Sequence, residues 1–251
     1  MRAMGLQSRI EWTEATWNPI TGCTHVSNGC DHCYAERLAV RLQAMGNPHY
    51  RNGFAPTVHE DLVEAPLTWK SPRLIFVNSM SDLFHESVPR ETVFRIFRTM
   101  NHASWHTFQV LTKRPFELVK IGSELSWTPN IWMGVTVESE RYVHRIEALR
   151  HVPASVRFVS FEPLLSGIPR DTSLAGIDWA IIGGESGPGA RPMKEDWVVG
   201  LKSLCESQQV KFFFKQWGGV NKKRSGRLLE GKTWDDMPSR DPTAATATMD
   251  G

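Results

Sequence analysis

The run "RLIFVNS" (residues 73–79) is apolar without alternation, carries β-branched residues, and closes on a polar pair. A strand of that kind is buried on both faces, which is the mark of a parallel sheet covered by helices. Working outward, "TFQVLT" (107–112), "IWMGVTV" (131–137), "VRFVSF" (156–161), "DWAIIGG" (178–184) and "KFFFKQ" (211–216) repeat the pattern. Helical spacing fills the gaps. Pro89 opens a helix with Val93, Ile96, Phe97 and Met100 on one face, and Pro115 opens a short one through Phe116, Leu118 and Val119. Residues 140–150 turn Val143, Ile146 and Leu149 inward, and a helix over about 194–208 turns Trp197, Leu201, Leu204 and Cys205. A further strand near Glu11–Trp17 brings the total to about seven units. Strands alternating with helices predict an α/β fold, a partial (β/α) TIM-like barrel with parallel strands, with a doubly wound open sheet as the alternative. No Gly-x-Gly-x-x-Gly follows the first clear strand and no P-loop is present, against the common nucleotide folds.

The 251 residues are 41% hydrophobic, enough for one large core, so residues 1–238 are expected to form a single domain. Residues 47–72 carry four prolines and little periodicity, which predicts an irregular insertion or lid. The tail "SRDPTAATATMDG" (239–251) is small and polar and is expected to be disordered. No apolar run reaches about 18 residues, so no membrane span is expected. "MRAMGLQSRIEW" has no secretory apolar core, so a cytoplasmic location, where thiols stay reduced, is the expectation. A net charge of +2 neither demands nor excludes a nucleic-acid partner.

The strand ends are unusually polar: "NSMSD" (78–82), "TKRP" (112–115), "TVES" (136–139), "FEPL" (161–164), "GGESGPGARP" (183–192) and "KQWGG" (215–219). In a parallel barrel these segments share the C-terminal rim, where such barrels place their active sites. Ahead of all of them stands "TGCTHVSNGCDHCYAE" (21–36), with three of the four cysteines spaced C-x6-C-x2-C. A helix follows, with Ala35, Leu38, Ala39 and Leu42 inward and a stop at Gly46–Pro48. Three readings of Cys23, Cys30 and Cys33 compete. They are unrelated buried thiols; or ligands of a structural zinc completed by His25 or His32; or ligands of a [4Fe–4S] cluster with one iron left open.

The segment "GC…GCDHCYAE" resembles the cysteine loop of radical S-adenosylmethionine enzymes, although its first spacing is six residues where that family usually has three. The resemblance implies a cluster held by Cys23, Cys30 and Cys33, with the amino and carboxylate groups of S-adenosylmethionine on the open iron. It further implies one-electron cleavage of that cofactor to a 5′-deoxyadenosyl radical, fed by an external electron donor. His32 stands just before the last cysteine, where those enzymes carry an aromatic residue that packs on the adenine. Through "WNPITGC", "SMSDLFHE", "LTKRP", "FVSFEPLL", "IIGGESGPGARPM" and "FFKQWGG", residues 10 to 238 are similar to the phage Gp37/Gp68-like family, also called DUF5131. "NSMSDLFHESVP" and "VLTKRP" further resemble strand ends of spore photoproduct lyase, a radical enzyme that repairs a thymine lesion in DNA. That likeness implies Lys113 on the cofactor carboxylate, Thr136 supporting it, and Ser79, Ser81 and Asp82 on the amino group or ribose.

Glu162, Glu185, Lys215 and Gln216, at the last strand ends, are the candidates to face substrate. Glycines 183, 184, 187 and 189 offer backbone amides to an anion. Cys205, on an apolar helix face, reads as an inert buried thiol. Lys215, Lys222, Lys223, Arg224 and Arg227 accompany Trp217, a combination suited to tracking phosphates and stacking bases. Arg141, Arg145 and Arg150 alternate with glutamates and read as a solvated helix face. The combined expectation is a radical enzyme acting on a nucleic-acid base or lesion, DNA before RNA. The rivals are a zinc-stapled nucleic-acid-binding module and a radical enzyme acting on a peptide or small metabolite.

Overall fold

The computed structural model describes residue 8 and residues 10–240. The expectation of a disordered tail therefore falls, from residue 241 on, outside the described residues. Seven strands form one parallel sheet: β1 (Ala15–Trp17), β4 (Leu74–Val77), β5 (Thr107–Thr112), β6 (Ile131–Thr136), β7 (Val156–Phe161), β8 (Trp179–Gly183) and β9 (Lys211–Gln216). Their spatial order follows the chain, each pairing with the next. The helices α1 (Tyr34–Ala44), α2 (Arg90–His102), α3 (Pro115–Gly122), α4 (His144–Arg150) and α5 (Glu195–Ser207) lie in five of the six connections, and β7 runs to β8 through an irregular segment. This is the α/β partial barrel, a curled sheet whose outer face is covered by helices.

Two cores follow from the period-2 alternation of the strands. The outward residues, among them Ile75, Val110, Met133, Val159, Ile182 and Phe214, pack under the helices. The inward ones, Leu74, Phe76, Trp132, Phe158, Trp179, Ile181 and Phe213, meet Trp12 in a second cluster that plugs the N-terminal half of the barrel interior. Trp179 is its hub, with ring centroids 5.6 Å from Phe158, 6.0 Å from Phe213 and 6.2 Å from both Trp12 and Trp132. Gly134 leaves space for the Phe158 ring, into which a Cβ there would run. Burying a ring of roughly 200 Å² at about 25 cal/mol per Å² gives each of these aromatics up to about 5 kcal/mol of transfer free energy. The plug leaves only the C-terminal layer of the concave face open for chemistry.

Segment 47–72 is irregular but fastened. It contributes β3 (Thr57–Val58), antiparallel to β2 (Ile20–Thr21), and several 3-10 turns. Trp17 Nε1 donates to Leu62 O (2.7 Å), Val63 is buried, and Trp69 packs against the outer core.

Some helix faces differ from the periodicity reading. On α1 only Ala35 and Ala39 are buried, while Leu38 is 39% exposed, because this helix rests on the small cluster of Tyr50 and Met80 rather than on the sheet's main core. On α3 Leu118 is buried but Phe116 and Val119 lie outside. The 140–150 segment is a 3-10 turn (Glu140–Tyr142) followed by α4, and its Arg145 is buried, not solvated. Cys205 is fully buried on α5, and burial pushes its thiol up to about 12. Among the described residues no helix is long and apolar enough to cross a membrane.

Candidate functional site

Cys23, Cys30 and Cys33 are free and half-buried on the loop between β2 and α1. Cys33 immediately precedes the first turn of α1, and the backbone closes short turns from Cys30 N to Ser27 O (2.9 Å) and Cys33 N to Cys30 O (3.1 Å). Four distant strand ends hold this loop at the C-terminal rim.

The first hold comes after β6. Glu138 is fully buried; it accepts from Ser27 Oγ (2.5 Å) and from Arg145 Nη1 (2.8 Å). Gly29 lies flat against it: a Cβ on Gly29 would come 2.5 Å from Glu138 Oε1. The second comes after β8. Glu185 accepts from His32 Nδ1 (3.0 Å), from Arg191 N and Nε (both 2.9 Å) and from Arg191 Nη2 (2.5 Å). Arg191 goes on to Asn28 O (2.8 Å) and Asp31 (3.3 Å), and Arg37 of α1 donates to Ser186 O and Pro188 O. The third comes after β5, where buried Arg114 donates to Thr24 Oγ1 (2.7 Å), Thr24 O and Glu86 (2.9 Å) and lies 3.9 Å from Cys23 Sγ. His85 completes that cluster. Its Nδ1 accepts from Ser87 N, so Nε2–H donates to Thr24 Oγ1 (2.9 Å). The fourth comes after β4, where Gly22 N donates to Met80 O (2.9 Å) and Ser81 Oγ to Ile20 O (3.0 Å).

Burial pushes the Cys23 thiol up to about 12, with the Asp82 carboxylate adding to the rise and Arg114 opposing it. For Glu185, burial alone would raise the carboxyl, but the hydrogen bonds from Arg191 and His32 outweigh it and hold it at about 2. Its folded value lies below the ordinary 4.5, so the stability it brings is complete above pH 4.5 and is lost as pH falls from there towards 2. The melting temperature of the wild type is expected to drop across that window more steeply than that of Glu185→Gln. Equal slopes in thermal melts would refute this.

The remaining sequence candidates fall into two groups. Ser79, Ser81 and Asp82 spend their hydrogen bonds on the scaffold. Ser79 Oγ donates to Asn18 Oδ1 (3.1 Å), and buried Asp82 accepts from Thr112 Oγ1 (2.7 Å), Phe84 N and Lys113 N (both 3.0 Å). Gln216 likewise donates to Gly184 O (2.8 Å). By strand alternation Lys113, Thr136, Glu162 and Lys215 face the concave side. Lys113 Nζ is 3.8 Å from Glu138 Oε1, and Lys215 Nζ pairs with Glu162 Oε1 at 2.8 Å. The glycine-rich loop is less available to an anion than its composition implies, since Gly184 N and Gly187 N donate to Gln216 O and Gly219 O. Trp217 is no free stacking platform either: its ring packs 4.8 Å from Phe214 and its Nε1 donates to Leu228 O.

Glu138, Arg114, Arg191 and Asn78 stand at the rim but were not among the site candidates the sequence offered. Asn78 sits at the end of β4 on the concave side with φ +57°, and its buried Nδ2 has no partner among the described residues. The signal for Glu138 and Arg114 was their place one or two residues past a strand, in "TVES" and "TKRP".

Among the described residues no three His, Cys, Asp or Glu side chains converge on a single ion position. The Cys3His zinc set is not assembled, and both histidines that would complete it are engaged, His25 with Glu36 (3.0 Å) and His32 with Glu185. A cube binds each thiolate to a different iron, so it needs three cysteines on one anchored loop rather than at one point. The loop fits that condition, and the unspent donor of Asn78 fits a polar ligand beside it.

Comparison with solved structures places the fold. A spore photoproduct lyase double mutant with bound AdoMet and dinucleoside spore photoproduct superposes with a TM-score of 0.51 at 12% identity, over 94% of this chain. A second spore photoproduct lyase structure, complexed with dinucleoside spore photoproduct, gives 0.46 at 12% identity, over 82% of this chain and 64% of that one. The chain spans 66% of the length of the first of these enzymes. The feature shared with the first of them is the partial barrel of parallel strands. No curated protein matches the sequence. A family model does, over residues 7–238, under the description "Protein of unknown function (DUF5131)", which carries no phage Gp37/Gp68 label. The chain belongs to the DUF5131 family.

Proposed function

We propose that this chain is a radical S-adenosylmethionine enzyme acting on a nucleic-acid base, in DNA before RNA. The observation that carries the reading is the anchoring of three free thiols on one loop, at the rim of a parallel half-barrel, by buried groups from separate strand ends. Cys23, Cys30 and Cys33 would hold a [4Fe–4S] cluster at three corners. When bound, the cluster and S-adenosylmethionine would supply a 5′-deoxyadenosyl radical, with the electron drawn from an external donor.

The chain's own residues bind and orient. Lys113 is held only loosely by Glu138, at 3.8 Å, so its ammonium keeps donors for the methionyl carboxylate. Asn78 Nδ2 offers a second donor on the same side. Thr136 supports Lys113 from the neighbouring strand. Ser79, Ser81 and Asp82 hold the backbone that frames the cofactor rather than spending their side chains on it. His32, fixed by Glu185, forms a wall beside Cys33 for the adenine. Glu162 and Lys215 face the substrate, while Glu185 and Gln216 hold the loops around it. The dinucleoside spore photoproduct bound by the structurally similar lyase supports a base as substrate.

Anaerobic reconstitution with iron and sulfide is expected to give brown protein with about four irons per chain. It should release 5′-deoxyadenosine from S-adenosylmethionine under a strong reductant. Cys30→Ala is expected to lose both properties. Colourless protein that takes up zinc instead would overturn the reading.

A further inference from the structure

Resting on the nucleic-acid reading above, we infer that Glu162 and Lys215 together read the pairing edge of an unpaired nucleobase. They stand at the ends of β7 and β9, the two neighbours of β8. Between them β8 presents Gly183, where a Cβ would run into Glu162 Oε1. The ion pair therefore bridges two strands over bare backbone. Its side chains are 17% and 14% exposed, reachable from the cleft but largely out of water. Below them lie Ser160 and then the apolar floor of Phe158, Ile181 and Phe213.

The pair carries no net charge, so a phosphate or carboxylate gains little there unless it displaces Glu162. Its hydrogen-bonding capacity is not used up. The ammonium has three N–H groups and gives one to Glu162; the carboxylate also accepts from Ser160 Oγ (3.3 Å) and keeps free lone pairs. A pair so withdrawn from water roughly breaks even as a stabilising element, which leaves that capacity as its use. The ligand that satisfies both groups is neutral and presents a donor and an acceptor side by side. A trans peptide group points its N–H and C=O in opposite directions and cannot do so. Nucleobases carry donor and acceptor adjacent on the pairing edge. In a duplex that edge is occupied by the partner base, so the site takes a base that is single-stranded or flipped out.

The test is fluorescence anisotropy on the full chain at low salt. One probe is a labelled oligothymidylate long enough to hold a duplex with its complement at the assay temperature. The other has every base replaced by difluorotoluene, an isostere of thymine that does not hydrogen-bond. Wild type is expected to prefer thymidine about tenfold, the scale of one paired edge contact, and to bind the probe more weakly once it is annealed to its complement. Lys215→Met should abolish the preference. Glu162→Gln, which keeps the volume and removes the charge, should reduce it and stands in if Lys215→Met does not fold by circular dichroism. An equal preference in wild type and variants, or equal binding of the annealed probe, overturns the edge reader and leaves the nucleic-acid reading intact. Failure of wild type to bind either single strand overturns that reading and the edge reader with it.

Discussion

Glu138→Ala is expected to destabilise the chain by about 3–5 kcal/mol, the usual cost of stranding one partner of a buried ion pair. The carboxylate is fully buried and joins three parts of the chain: Arg145 at 2.8 Å, Ser27 at 2.5 Å and, less closely, Lys113 at 3.8 Å. Among the described residues, its removal leaves the buried Arg145 guanidinium with the Thr136 carbonyl (2.8 Å) and the Tyr142 ring (4.2 Å). It also frees Ser27, three residues before Cys30, and opens a void under Gly29. Iron retention should therefore fall together with stability. Urea denaturation measures the first loss, and iron bound after gel filtration of reconstituted protein measures the second. Adding Arg145→Met to Glu138→Ala should recover much of the stability, since no charge is then stranded, but not the iron, since the loop is still loose. A loss below about 1 kcal/mol in the single variant would refute the role assigned to this pair.

Trp179→Ala is expected to cost about 3–5 kcal/mol by another route. This ring touches four aromatic neighbours at the centre of the interior plug and is fully buried. Truncation leaves a cavity that a rigid sheet cannot close, so the lost transfer energy and the cavity term add. Its indole Nε1 has no hydrogen-bond partner among the described residues, so no polar contact there is lost with the ring. The loss should appear as a lower urea midpoint with an unchanged slope. Trp179→Phe should recover most of it, and equal losses in the two variants would show that the plug is not close-packed.

Much of the architecture was legible in order along the chain. "TFQVLT", "VRFVSF" and "KFFFKQ" are strands over the residues expected, and α2 buries Val93, Ile96, Phe97 and Met100. These are local signals: a run apolar on both faces, or a period of 3.6, reports burial without knowing the partner. Leu38, Phe116 and Arg145 were misread because their exposure depends on what each helix rests against. The polar rim was legible as a rim, but the task of each of its residues was not.

What the sequence alone determined is the α/β succession, the parallel sheet and the presence of three thiols on one loop after its first strand. Those follow from patterns within a few residues of each other. Only the tertiary structure decided which side chains hold that loop and which are left for a ligand. Ser27 and Glu138 are 111 residues apart, His32 and Glu185 are 153, and Arg114 and Thr24 are 90. Hydrogen bonds fall off within an ångström or so of their ideal length. A carboxylate at a strand end therefore becomes a clamp, a substrate contact or a plain rim charge according to how the curled sheet brings such distant segments together.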